Sequence, residues 1–401
     1  MKLPTAAKLW RYVRYRLRLG AFFRRPGDGR SSPQIPAKDL LWSQVLARIL
    51  RQNSFLSVEA MVRSPARRNM QVSRTFGDDA LSYFNERLDP GRIREAVVQS
   101  ARRAKRNKAF RHSPLIGLAI DGTGAGHTFS LEPLCPLCRP VKDPNNQVIG
   151  YLHYFTMISV VGTGITLPLD VEPYGPGDSE YSAGHRVIAR AIENLGPRFA
   201  DYVVADGKFA AAPFLNHLNE LHLFPVVRLK ANVPELFNAA QQRFTHEPPY
   251  HVYRHEGEKI EVWDADDFDP WGDLNWKTVR VLRYRQHKRN GEIVDALWLT
   301  NVPTRRVGSL RLFEIAKSRW EIENQGFNDG KNRYGMEHIC HHDANAILIG
   351  WLIAVLAMVI ERLFRLCYLH RGTHPVRTAI DLVRLLCLAL GRPAPRGVDT
   401  S

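Results

Sequence analysis

The fold turns on the stretch Leu115-Ile116-Gly117-Leu118-Ala119-Ile120-Asp121-Gly122-Thr123-Gly124. A nearly unbroken apolar run of this length predicts a strand covered on both faces, as in the centre of an α/β sheet. The run stops at a carboxylate, and the glycines after it predict a turn. A second stretch, Tyr202-Val203-Val204-Ala205-Asp206-Gly207, ends in the same way. Two strands that each finish on Asp-Gly bring two carboxylates to the carboxyl edge of a sheet, where sites in α/β folds form.

The surrounding pattern fills in the sheet. Residues 151–161 and 165–171 read as strands joined by Gly162-Thr163-Gly164, which predicts a hairpin. Asp178 or Ser179 caps a helix whose apolar positions Val187, Ile188, Ala191, Ile192 and Leu195 share one face, and Gly196-Pro197 ends it. After the strand at 202–205 come a helix over 211–222 and a strand over 224–229. The order is βββαβαβ. Residues 232–305, with Trp263, Trp271, Trp276 and Trp298, read as a β-rich insertion of loops and alternating segments. Helical character returns over 310–327 and in an apolar helix over 346–368.

Composition sets the partner class. The chain of 401 residues carries 56 Lys and Arg against 40 Asp and Glu, a net charge of +16, which is the footprint of a phosphate-backbone binder. Nine basic residues against one acid lie in residues 1–30, and eight against one in 91–111, flanking segments 40–50 and 79–88 of helical spacing. Residues 1–111 therefore read as a basic helical DNA-binding region. Residues 112–231 and 306–370 are two parts of one core around the insertion, and 371–401 is a C-terminal tail. Five cysteines make no disulfide framework, and the first 25 residues hold no apolar core of signal-peptide length. A bacterial cytoplasmic, nucleoid-associated location is the expectation. The apolar stretch 346–360 is short for a bilayer, so no membrane partner is expected.

The chemistry lies at the two strand ends and on a late helix. Carboxylates are the ligands that Mg²⁺ or Mn²⁺ requires, and two such ions about 4 Å apart serve phosphoryl transfer. A third acid is needed, and Arg319-Trp320-Glu321-Ile322-Glu323 offers two, with Arg319 and Glu323 at i and i+4 on one helix face. Together with Asp121-Gly122 and Asp206-Gly207, this segment and Lys331 resemble the DDE-type transposases of bacterial insertion sequences that carry a Tyr-x2-Arg-x3-Glu-x6-Lys signature. The likeness spans residues 115–365.

That resemblance implies a ribonuclease-H-like core. It also implies Asp121, Asp206 and Glu323 as catalytic metal ligands for two Mg²⁺ (or Mn²⁺) ions, with Glu323 chosen over Glu321 by its spacing from Arg319. Arg319 and Lys331 would bind DNA phosphate, and Trp298 or another tryptophan of the insertion would stack on a flipped base. The partners implied are double-stranded DNA, as terminal inverted repeats and target, and a second copy of the chain on paired ends. Two positions depart from the signature: Ala316 stands where Tyr is expected, and seven residues rather than six separate Glu323 from Lys331. On a regular helix Lys331 then sits about 80° off the Glu323 face, unless Gly326 or Gly330 permits a bulge.

Cys135-Pro136-Leu137-Cys138 is a CxxC, and His153, His338, Cys340, His341 and His342 are candidate partners for zinc; the other reading is a reduced loop with exposed imidazoles. No P-loop and no GxSxG elbow is present. Two functional alternatives share these features. One is a ribonuclease-H-like nuclease that cuts without joining, and the other an inactive DNA-binding repressor derived from a transposase.

Overall fold

The computed structural model describes residues 5–110, 113–369 and 376–391. The helices preceding the sheet are α1 (Ala6–Arg11), α2 (Gly20–Arg24), α3 (Ala37–Ile49), α4 (Phe55–Arg63), α5 (Asp78–Arg87) and α6 (Pro90–Arg106). The core strands are β1 (Gly117–Thr128), a short β2 (Arg139–Lys142), β3 (Val148–Val161) and β4 (Leu167–Pro173). Helix α7 (Glu180–Leu195), β5 (Tyr202–Ala205), α8 (Ala212–Glu220) and β6 (Phe224–Leu229) follow.

In space the core strands run β4-β3-β1-β5-β6, with β3 antiparallel to β1 and with β1, β5 and β6 parallel to one another. This is the ribonuclease-H-like arrangement. Apolar side chains explain it locally: all four residues of β5 are buried, as are Leu118, Ala119 and Ile120 of β1, so both strands need cover on both faces. Helix α7 supplies part of it. Ser179 caps it by accepting from the Ser182 N–H at 3.1 Å, and its buried stripe contains the apolar residues expected from the sequence.

Strand β1 does not end at Asp121. It continues to Thr128 because the long β3 keeps pairing with it, through Gly122↔Thr156 and Gly124↔Tyr154. The glycines are there for space rather than for a turn. A Cβ on Gly122 would lie 2.5 Å from Glu180 Cδ, and one on Gly124 would lie 2.4 Å from Leu152 Cδ2.

The segment read as an insertion extends the same sheet. It opens with a helix that its flanking prolines concealed, α9 (Pro234–His246), and continues as β7 (His251–His255), β8 (Glu258–Phe268), β9 (Val279–His287) and β10 (Ile293–Thr300). Strand β10 pairs antiparallel with β6, and β9, β8 and β7 add outward in turn.

The late helix expected over 310–327 is broken. Helix α10 (Ser309–Lys317) stops at Ser318, and Ile322–Asn328 forms a π-helical turn that leads into α11 (Asp329–Asn332). Buried Arg362 donates to the Gln325 carbonyl and to Asp329 at 2.8 Å, supporting the wide turn from outside. Helix α12 (Ala344–Arg362) is apolar on all sides and lies among α3, α5, α6 and β4. Ala344–Tyr368 has the length and composition to cross a membrane, but 89% of its most apolar window is buried inside the molecule. The N-terminal helices thus share one hydrophobic core with the sheet. Arg94 of α6 bonds Asp170 of β4 at 2.8 Å, and buried Arg48 of α3 donates to Gly335 O at 2.7 Å. Within the segment read as a tail, α13 (Ala379–Ala389) buries Ile380, Leu382, Val383 and Leu386; residues 371–375 and 392–401 lie outside the described residues.

Candidate active site

Parallel pairing of β1 with β5 ends at Ile120↔Ala205, so the next residues of the two chains are Asp121 and Asp206. The neighbouring parallel strand β6 ends at Leu229, and Lys230 beyond it reaches across to Asp206, 2.9 Å from Oδ1. From the other side, Arg319 donates to Asp121 Oδ2 at 2.9 Å and to Glu323 Oε1 at 2.7 Å. One guanidinium therefore bridges a mid-strand acid and a π-turn acid that are 202 positions apart in the chain, and its charge also acts on Asp206. Glu180, at the start of α7, adds a fourth carboxylate near Asp121 and is paired with Lys208 at 2.8 Å.

Burial pushes the Asp121 carboxyl up to about 6; Arg319 and the Gly122 N–H oppose the rise, and Glu180 and Glu323 reinforce it. For Asp206 burial also acts upward, but the bonds from Lys230 and the Gly207 N–H outweigh it and hold the carboxyl below its ordinary value. Several negative groups thus crowd into a partly buried place and are balanced there by Arg319, Lys230 and Lys208.

Glu321 has a different job. The Gly162 N–H donates to it at 3.1 Å and the Thr166 hydroxyl at 2.7 Å, so it pins the β3–β4 turn to the helix, and burial raises its carboxyl above the ordinary range. Two residues on, Glu323 is turned toward Arg319. Lys331 is not displaced by the extra residue in the spacing. The π turn spanning Gly326 absorbs that residue, and the Lys331 ammonium donates to the Gly124 carbonyl on β1, three residues past Asp121. Gly326 allows this approach, since a Cβ there would lie 3.2 Å from Met157 Sδ. Ala316, at the departed signature position, is fully buried.

Trp298 is not available to a base. It is 1% exposed on β10, with the Trp320 ring 6.4 Å away edge-on and Arg228 5.8 Å from its own ring centroid. Residues 296–300 of β10 are all buried, so the strand is covered on both faces where Trp298 stands.

Sequence reasoning missed Lys230, Lys208 and Glu180. A charged residue directly after a buried parallel strand was the available signal for Lys230, and an acid in the first helical turn the signal for Glu180.

Of the zinc candidates, Cys135, Cys138 and His153 come together and are buried, while the others divide. Cys340 donates to Asn53 O at 3.2 Å, His341 pairs with Glu86 at 2.8 Å, and His338 lines a small cavity with Arg48 and Phe55. The His342 ring lies beside that of His153.

Residues 112–360 match the family described as "Transposase DDE domain", and the chain belongs to that family. No match was found among curated proteins. Among solved structures, one described as a cryo-EM structure of a piggyBac transposase synaptic complex with hairpin DNA is similar at 12% identity. The similarity covers 90% of this chain and 73% of that one, with a TM-score of 0.46.

Proposed function

We propose that this transposase binds the ends of its own mobile element, cuts DNA there and joins the freed 3′ hydroxyl to target DNA, with Asp121, Asp206 and Glu323 as its metal-holding acids. The observation that carries the reading is the meeting of Asp121 and Glu323 on Arg319 directly beside Asp206. The donor set fits a hard divalent cation: all oxygen, drawn from three separate segments, and crowded enough that burial and neighbouring carboxylates raise Asp121. Members of this family use divalent cations, and we assign Mg²⁺, or Mn²⁺ in its place, in a pair. When bound, such ions supply Lewis-acid stabilisation of the attacking and leaving oxygens in phosphoryl transfer.

The chain's own residues do the rest. Asp121, Asp206 and Glu323 stay ionised to hold the cations. Arg319, Lys230 and Lys208, which pair with the acids, would hold phosphate oxygens of the DNA strand once cations take the carboxylates, and the Arg319 guanidinium has the two-pronged geometry for it. Lys331 stands on the same side of β1 and extends that grip. No protein nucleophile is required. The basic surface, +16 in all, supplies sequence-independent attraction to DNA, and paired ends call for two copies of the chain.

The test uses the full-length protein, duplexes bearing the inverted repeats that flank its coding region, a supercoiled target plasmid and Mg²⁺. Joined products are expected, dependent on the divalent cation, with Asp121→Ala, Asp206→Ala and Glu323→Ala each binding the repeats but neither cutting nor joining them. Unchanged cutting in all three variants would overturn the assignment, and cutting without joining would reduce the function to that of a nuclease.

A further inference from the structure

A second ligand cluster stands on the same strand pair, beyond the acids and apart from them. The loop between β1 and β2 carries Cys135 and Cys138, and the Cys138 N–H donates to Cys135 O at 3.1 Å, a turn that brings both thiols to one side. Their sulfurs are 3.6 Å apart. His153, in the middle of β3 and fully buried, points Nε2 between them, 3.2 Å from Cys135 Sγ and 3.4 Å from Cys138 Sγ. Around a tetrahedral zinc ion with ordinary bond lengths, the sulfur–sulfur edge is about 3.8 Å and the sulfur–nitrogen edge about 3.6 Å. The observed triangle is that figure drawn slightly closer.

The surroundings supply what such a site needs. His153 Nδ1 lies 3.3 Å from the Gly126 carbonyl, which fixes the proton on Nδ1 and leaves the Nε2 lone pair facing the sulfurs. Gly126 can offer that carbonyl because β1 bulges between Ala125 and Thr128, where Gly126 takes φ +68°. The fourth position has a candidate as well. The His342 ring centre is 5.8 Å from that of His153, and its buried Nδ1 has no hydrogen-bond partner among the described residues. A disulfide between the two cysteines would leave both imidazoles unused.

We propose that Cys135, Cys138 and His153 hold a structural Zn²⁺ ion, with His342, which stands just outside that group, moving in as the fourth ligand. Two thiolates and two imidazoles select a borderline-soft ion, so this site and the oxygen-only cluster at Asp121 take different metals. Its role is mechanical. His342 ends the segment that follows the π turn and α11, and that segment already leans on the β1 bulge: Glu337 accepts from the Gly126 N–H at 3.3 Å, and a Cβ on Gly126 would collide with Ile339. Zinc locks the chain that leaves Glu323 onto the strand that carries Asp121. The inference stands whether or not the catalytic assignment does.

The full-length protein, purified without chelator from zinc-supplemented cells, should retain close to one zinc per chain by elemental analysis. Cys135→Ser with Cys138→Ser, and separately His153→Ala, should retain less than about a tenth of that, while Asp206→Asn keeps it. Because the variants risk misfolding, the wild type supplies a second measurement: exchange of zinc for Co²⁺ should give the intense visible bands of four-coordinate cobalt with thiolate charge transfer in the near-ultraviolet. Chelation should lower the Tm reversibly. In His342→Ala the cobalt bands should shift and zinc should be lost more readily to a chelator. Wild-type protein without zinc, a six-coordinate cobalt spectrum, zinc retained by the double serine variant, or a cobalt spectrum unchanged in His342→Ala would each overturn the four-residue assignment.

Discussion

Two polar clusters lie along the β1–β3 ladder and are built in opposite ways. At Asp121 the polar atoms are oxygens, the side chains are partly open (Glu323 39%, Asp206 22% and Asp121 14% exposed), and each acid is paired with Arg319 or Lys230. At His153 the atoms are sulfur and nitrogen, and Cys135, Cys138 and His153 are buried. The first arrangement exchanges partners, since its ion pairs open without exposing core. The second is enclosed by the core. On the proposed function, the β1–β3 ladder carries a place for chemistry at Asp121↔Met157 and a place for rigidity at Ala125↔His153.

Replacing the acids should separate the two clusters most sharply. Asp206→Ala or Glu323→Ala should lower DNA cleavage by at least about 10³-fold, the scale expected when a metal-assisted charge stabilisation is removed, with zinc content and mobility-shift affinity for DNA held. Loss of zinc in the same variants would merge the clusters and break the comparison.

The next effect is on stability and carries a sign. In the metal-free protein the Asp121 carboxyl is raised from 3.8 to about 6, so the folded state binds its proton more tightly than the unfolded one. The contribution of Asp121 to stability therefore falls as pH rises from about 4 to about 6, by about 3 kcal/mol. Asp121→Asn escapes that loss. Its Tm in chelated buffer should match the wild type near pH 4 and exceed it at pH 7.5, while activity disappears. An equal Tm difference at both pH values would remove the electrostatic account of the site.

Lys331→Met should have the smallest effect, roughly tenfold on cleavage with little change in Tm, because the ammonium is partly exposed and its protein partners are a carbonyl and a carboxylate 3.7 Å away. A change in Tm larger than the change in rate would make Lys331 a strut of the β1–helix contact rather than part of the DNA grip.

Much of this was legible in the sequence because the central strands are buried on both faces and so appear as apolar runs. Two such runs ending alike placed Asp121 and Asp206 at a sheet edge, and the resemblance implied that they are neighbours. Even the π turn had a trace, since the seven-residue gap from Glu323 to Lys331 is the extra residue that the turn absorbs. Other features depended on what packs against what. Gly122 and Gly124 read as a turn, yet they make room for Glu180 and Leu152. Prolines around 234 and 248–249 read as loop, although Pro234 starts α9 and Leu236, Ala240 and Phe244 form its buried stripe. Stacking by Trp298 or another tryptophan was implied by the resemblance, and the sequence does not reveal that residues 296–300 are covered on both faces. The CxxC was visible, but the choice of His342 over His338, Cys340 and His341 rests on partners contributed by α3, α5 and their loops.

The central claim is that Glu323, and not its neighbour Glu321, completes a divalent-metal site with Asp121 and Asp206. Mn²⁺ binding to the zinc-loaded protein, followed by electron paramagnetic resonance near neutral pH, tests it without any DNA substrate. Glu323→Gln should weaken Mn²⁺ binding by at least tenfold, whereas Glu321→Gln should leave it within about twofold and lower the Tm instead, because its bonds to Gly162 and Thr166 are weakened. Equal affinities in the two variants, or loss of Mn²⁺ with Glu321→Gln alone, would contradict the account.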